Sequence, residues 1–290
     1  MMLRVFPLLL LLAVPAFAEE KQPISIEAGN QLEWLRDENK YRATKDVVIT
    51  QGDTIIKGDK AEALYDPAEG PSALTVMDID GNVSIAQGDR LITSDKAHYD
   101  TKMQEVLFTG QQVTIKTPDL SVMSNGQVRY KMANRQIISE GPTTITQKDQ
   151  VLKADRVTAF LDEGNKLDRA TARGNVIITR KANGGEDVVR ADSADYNTTQ
   201  GKIILTGNVR LARGENFMQG GSATIDLKTG YSSLQNDPAQ GTGRVRAIFS
   251  TSSGPQKIAM PSIQAKKKTE SAYQVAPNLH QAKPPVEAVP

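Results

Sequence analysis

Asp80-Gly81-Asn82-Val83-Ser84-Ile85, followed by Ser94-Asp95-Lys96-Ala97-His98-Tyr99, decides the fold class of this chain. Val83 and Ile85 alternate with polar neighbours, as do Ala97 and Tyr99. A period of two puts one set of side chains on one face of a strand, whereas a helix needs apolar residues at i, i+3 and i+4. Gly-Asn and Gly-Asp pairs lie between the runs and supply turn chemistry. The stretch therefore predicts short antiparallel strands.

The same phrase returns along the chain. Its first part recurs as Asp46-Val47-Val48-Ile49, Gly110-Gln111-Gln112-Val113-Thr114-Ile115, Gly141-Pro142-Thr143-Thr144-Ile145, Gly174-Asn175-Val176-Ile177-Ile178 and Gly207-Asn208-Val209-Arg210-Leu211. Its second part is a polar hinge: Asp59-Lys60-Ala61, Asp95-Lys96-Ala97, Asn125-Gly126-Gln127, Asp155-Arg156-Val157, Asp192-Ser193-Ala194 and Gly221-Ser222-Ala223. Successive hinges advance by 36, 30, 30, 37 and 29 residues. Self-similarity at such a period marks a repeat architecture. Each unit reads as about three strands, and the body from about residue 23 to 249 as an all-β fold of about sixteen.

Alternation assigns an inner face. It holds Val47, Ile49, Ala61, Val83, Ile85, Leu91, Ala97, Tyr99, Val113 and Ile115, then Val157, Val176, Ile178, Ala194, Tyr196, Val209, Leu211, Ala223 and Ile225. These side chains are small or medium, with few aromatics to plug the centre. Two readings follow: an ordinary core with small residues at a crowded corner, or a lined space with room in it.

The repeated unit, Gly-Asn-Val on one strand and Ala-Asp-x-Ala-x-Tyr on the next, resembles the OstA-like family. The resemblance is carried by residues 80–85 with 94–99, by 172–176 with 191–196, and most specifically by 207–211 with 215–225. It spans about residues 23–235 and implies an open, twisted antiparallel β-jelly roll over 19–250. It also implies a non-enzymatic, cofactor-free carrier that binds lipopolysaccharide through its lipid A and passes it across the periplasm. The implied partners are LptC-like inner-membrane and LptD-like outer-membrane transport proteins, together with further copies joined head to tail. No nucleic acid is implied. The lipid-lining role falls on Val83, Ile85, Leu91, Ala97, Tyr99, Val176, Ile178, Ala194, Tyr196, Val209, Leu211, Phe217, Ala223 and Ile225, with Phe217 and Ile225 in the most specific stretch. A sheet left open presents unpaired edges, here around residues 24–28 and 223–234, which a neighbour's strand could satisfy. The motif weakens at Gln127 and Val157, which stand where alanine is expected. The alternatives are a polysaccharide-active enzyme on a β-solenoid, a pure assembly or adhesion module that uses the edges and no slot, and a membrane-anchored relative in the same pathway.

Composition sets outer bounds. The 290 residues carry 35 Lys+Arg against 34 Asp+Glu, 39% hydrophobic and 5% aromatic residues, and no cysteine. Disulfides, thiolate metal sites and a cysteine nucleophile are excluded, and the net charge of +1 gives no bulk attraction to nucleic acid. Residues 1–18 have one Arg, an apolar run and Ala16-Phe17-Ala18 before Glu19, the pattern of a cleaved secretory signal. Its apolar run of about thirteen residues is short of the roughly 20 needed to span a bilayer. From Thr251 onward five Lys face two Glu, so the tail is +3 and residues 19–250 are −3. That tail, rich in Ser, Pro, Gln and Lys, reads as a disordered segment.

Other chemistry finds little support. His98 and His280 are the only histidines, one outward on a strand and one in the tail, which disfavours a metal site or a histidine triad. Asp78-Ile79-Asp80-Gly81-Asn82 has its glycine too early for an EF-hand loop. No glycine-rich phosphate loop is present. Trp34 reads as a structural anchor of the first hairpin rather than a sugar platform.

Overall fold

The computed structural model describes residues 23–182, 185–229, 231–236 and 244–250. The predicted signal segment, 1–18, and the basic tail, 251–290, lie outside the described residues. Among the described residues eighteen strands pair into one sheet. They are β1 (Ser25–Glu27), β2 (Gln31–Leu35), β3 (Lys40–Gln51), β4 (Thr54–Tyr65), β5 (Leu74–Gln87), β6 (Arg90–Asp100), β7 (Glu105–Thr109), β8 (Val113–Thr117) and β9 (Leu120–Ser124). The sheet continues with β10 (Gln127–Lys131), β11 (Gln136–Gln147), β12 (Gln150–Leu161), β13 (Leu167–Ala182), β14 (Gly185–Asn197), β15 (Lys202–Arg213), β16 (Asn216–Asp226), β17 (Ser232–Gln235) and β18 (Arg246–Ile248). Neighbours pair antiparallel, as in β3 with β4 and β14 with β15. The all-β jelly-roll class is therefore observed, while a β-solenoid, built of parallel coils, is not. Ten of the strands are 11 to 16 residues long rather than short.

Each long strand is bent in the middle by a β-bulge, and the bulges line up into one crease. On β5 the pair Gly81-Asn82 stands opposite the single residues Asp59 of β4 and Asp95 of β6. Gly174-Asn175 on β13 faces Asp155 and Asp192, and Gly207-Asn208 on β15 faces Asp192 and Gly221. Gly-Asn is thus not hairpin punctuation here; it is the two-residue side of a bulge. Both residues adopt left-handed backbone, with φ of 77° and 50° at Gly81-Asn82 and 78° and 47° at Gly207-Asn208. Glycine and asparagine tolerate that region best. The aspartate on the preceding strand then receives the asparagine amide: Asn82 Nδ2 donates to Asp59 Oδ2 at 2.9 Å, Asn175 to Asp155 at 2.8 Å and Asn208 to Asp192 at 2.8 Å. The Gly-Asp pairs at 52–53 and 88–89 do form hairpin turns.

The crease divides the sheet into two arms. Arm A holds the strand halves at 40–44, 60–65, 76–80 and 96–100, and their counterparts onward; arm B holds those at 47–51, 54–58, 83–87 and 90–94, and theirs. Four positions in the stack are two short strands end to end: β2 with β1, β7 with β8, β10 with β9, and β17 with β18, the first of each pair in arm A. With the ten long strands they make fourteen rungs. At ~4.8 Å between strands the stack is ~60 Å long.

Within the stack a longer repeat is visible. The broken rung β1/β2 at 25–35 reappears as β9/β10, and Ile26, Leu32 and Trp34 correspond to Val122, Val128 and Tyr130, each 96 residues on. The creases at Asp59, Gly81, Asp95 and Gly110 recur at Asp155, Gly174, Asp192 and Gly207. The first and second halves join without a gap: β7 pairs with β10 and β8 with β9. The core lies between the arms. It includes Val47, Val83, Phe108, Val113, Val128, Val176, Leu205 and Val209.

Candidate functional site

The inner face of the creased sheet is the surface that alternation selects, and the two kinds of bulge determine which residues reach it. A two-residue bulge preserves alternation across the crease: on β5 Ile79, Val83 and Ile85 all point inward, and on β15 Leu205, Val209 and Leu211 do. A single-residue crease reverses it, because one residue shifts the parity of everything beyond. On β6 Ala97 and Tyr99 are inward, but across Asp95 the inward residues are Ser94 and Ile92.

Two of the residues expected to line the face are corrected on this ground. Leu91 pairs with Ala86 and Lys116 on the outer face, and Ile92, paired with Ile85 and Ile115, takes the inner place. Phe217 pairs with Ala212 outside, where the Arg210 guanidinium stacks over its ring at 4.1 Å; Met218, opposite Leu211, is inward. The other twelve, Val83, Ile85, Ala97, Tyr99, Val176, Ile178, Ala194, Tyr196, Val209, Leu211, Ala223 and Ile225, share the inner face. The third hinge lies one residue later than the sequence pattern suggests. Val128 is inward, whereas Gln127 is outward against Glu140. Sequence reasoning misses Ile92, Phe108, Val128, Leu205 and Met218, and the signal for Ile92 and Met218 is the lone crease residue.

Burial is deepest at the crease and falls along the arms. Val83, Val176 and Val209 are no more than 1% exposed. Further out, Ile85, Tyr99, Ile178 and Tyr196 are partly exposed. Burial raises the pKa of Tyr99, Tyr130 and Tyr196, which keeps their hydroxyls protonated. At the far end of arm B the inner face carries Asp187, with Arg180 Nη2 donating to it at 2.8 Å and Arg213 Nη2 at 2.7 Å. Burial pushes the Asp187 carboxyl up, but the hydrogen bonds and charges of Arg213 and Arg180 outweigh that, and it lies below its usual range.

The outer face is held by cross-strand ion pairs. Lys96 meets Asp80 at 2.6 Å, Arg173 meets Asp195 at 2.7 Å, and Arg42 meets Glu62 at 2.9 Å. His98 belongs to this face, its Nδ1 2.6 Å from Asp78 Oδ1. Among the described residues no group of three His, Cys, Asp or Glu side chains is placed to hold a metal ion. Trp34 is half-exposed at the first rung, its Nε1 donating to the Tyr65 hydroxyl at 3.1 Å and its ring stacked on Tyr41 at 5.9 Å.

The sequence that forms this creased, antiparallel stack matches a known family model twice. The model described as "LptA/(LptD N-terminal domain) LPS transport protein" matches residues 25–125 and again residues 121–231. The chain belongs to this family. The two matches meet at β9, where the second copy of the broken rung begins. Among solved structures the chain is similar to LptH, the LptA homologous periplasmic component of the lipopolysaccharide transport device of Pseudomonas aeruginosa. The two share 14% identity, with a TM-score of 0.40, over 45% of this chain and 94% of LptH. No curated protein matches the chain in sequence. As a member of the LptA/LptD N-terminal family the protein has a role in lipopolysaccharide transport.

Proposed function

We propose that the protein is a non-enzymatic periplasmic carrier whose inner face holds the acyl chains of lipopolysaccharide. In this reading it stacks end to end as a bridge between LptC-like inner-membrane and LptD-like outer-membrane proteins. One observation carries the reading: an apolar inner face follows the crease along the stack of rungs, from Val47 to Ala223. Each buried CH₂ is worth ~0.8 kcal/mol, so a lipid with several acyl chains needs such cover to cross water. Contacts with Val, Ile, Leu and Ala are nonspecific, which suits a cargo that must also leave. The sugars remain outside.

The partly exposed residues along the arms, Ile85, Ile178, Tyr99 and Tyr196, are the surface a chain would reach first. The test uses neighbouring residues of opposite parity. A photo-crosslinker at Met218 or Ile85 labels lipopolysaccharide in the periplasm, and one at Phe217 or Lys96 does not. Equal labelling at Met218 and Phe217 would sink the carrier reading.

A further inference from the structure

The inner face ends differently on its two arms. In arm A its outermost positions are Tyr41, Tyr65, Tyr99, Leu161, Tyr196 and Leu227. In arm B one register row crosses six consecutive rungs, β11 to β16: Gln147, Gln150, Arg180, Asp187, Arg213 and Asn216, each paired with the next. Every member of the row shares the parity of inward apolar residues, such as Ile145, Ile178, Val189 and Leu211. Gln87 and Arg90 are paired at the same level in the first half, separated from the row by Thr117 and the buried Leu120.

Polar residues beside a hairpin turn are ordinary when they face water. This row is different, because Gln147 is 8% exposed and Asp187 3%. Buried amides and ions are costly without partners, and here two of them stand in a row of long polar side chains, the other four partly exposed, on a face lined elsewhere by apolar residues and small hydroxyls such as Ser94, Ser124 and Thr143. The cross-section is therefore amphipathic, with apolar residues at the crease and along arm A, and amide and guanidinium groups along one lip.

We propose that this lip seats the anionic, phosphate-bearing headgroup of the lipid, so that the cargo travels in one orientation with its acyl chains toward the crease and arm A. The inference rests on the carrier reading. Arginine forks fit phosphate bidentately. Arg180 and Arg213 stand on either side of one carboxylate, two positive charges to one negative, and Arg213 gives two of its five N–H donors to Asp187. Asp187 holds both guanidiniums in place between cargoes and competes with a phosphate for them. That competition keeps the hold moderate and allows release.

The experiment compares two probes on the full exported chain: bisphosphorylated lipid A, and the same acylated sugar with both phosphates removed. The wild type is expected to favour the phosphorylated probe by about tenfold, a gap within reach of one or two charge-assisted contacts. R180Q/R213Q abolishes that preference and leaves the affinity for the phosphate-free probe unchanged. D187N, which removes the competitor, tightens the phosphorylated probe only. If the double variant fails to fold, as circular dichroism would show, Arg90→Gln and D187N carry the comparison. An equal affinity of the wild type for both probes, or a parallel loss of both in the variants, overturns the headgroup seat and leaves the carrier standing. Failure of the wild type to bind either probe overturns the carrier reading itself.

Discussion

Gly207 and Asn208 bend β15 because the backbone there is left-handed and has no room for more atoms. A Cβ on Gly207 would meet Asp192 Oδ2 at 2.2 Å, and φ is already +78°. The equivalent atoms at Gly81 and Gly174 would meet Asp59 and Asp155 at 2.3 Å. Glycine is required by both conformation and contact, and the aspartate facing it binds the next asparagine. Gly207→Ala should therefore cost about 1–3 kcal/mol, the range for a non-glycine residue held in a strained backbone region. Asn208→Gly keeps the conformation and loses only an exposed hydrogen bond, so its cost should be well below that. Denaturant unfolding of both variants checks the order. A Gly207→Ala protein as stable as the wild type would show that the crease is not held this way.

Strand by strand, the arms depend on alternation inside and ion pairs outside. The outer cluster on β3 and β4 shows what the pairs contribute. Hydrogen bonds from Lys60 and Arg42 hold the Glu62 carboxyl down at about 2, against an ordinary value of 4.5. A depressed carboxyl stabilises the fold fully above its unfolded pKa, and the contribution fades as pH falls through the folded one. The window for Glu62 therefore runs from about 4.5 down to about 2. Stability measured by chemical denaturation should fall across that interval, with a shallower slope in Glu62→Gln. An unchanged slope in the variant would assign the acid sensitivity to other carboxylates. The inner side of these same strands shows how far the sequence can be read. Period-two alternation and a 30-to-37-residue recurrence are enough to establish an all-β, antiparallel fold and eighteen of the nineteen inner positions read from it. Leu91 and Phe217 fall on the wrong face when alternation is carried straight through Asp95 and Gly221. A one-residue crease and a hairpin leave similar local signals, and only the pairing register separates them. Gly-Asn is ambiguous for the same reason, since left-handed residues serve hairpin turns and bulges alike.

The 96-residue repeat makes the middle of the molecule a template for its ends. In the middle, rung β7/β8 lies on rung β9/β10, with Phe108 beside Val128 and Val106 beside Tyr130. There Leu120, Val122, Val128 and Tyr130 are all under 9% exposed. Their counterparts on the first rung have no further strand upon them among the described residues: Ile24 is 43%, Leu32 54% and Trp34 46% exposed, with only the Arg36 guanidinium over the Trp34 ring at 4.1 Å. The last rung ends on Leu234 and the exposed Phe249. Fourteen is an even number, so strand direction on the last rung opposes that on the first. A second copy can therefore continue the stack antiparallel, arm A on arm A. The inward Leu234 would then meet Leu32, with the small Ser232 beside Trp34, repeating the large-on-medium packing of the internal joint. Such a contact would be heterologous and would not close, so copies joined this way would extend into a filament. Leu32→Asp, on a surface side chain, should weaken self-association by about tenfold or more, as an unpaired charge at a buried contact does. It should leave the unfolding transition of the monomer where it was. Val128→Asp places the same charge in the internal joint and should prevent folding altogether. Light scattering across a concentration series, read beside thermal unfolding, separates the two. If the wild type stays monomeric at every concentration, the exposed first rung is not a joint for a second copy.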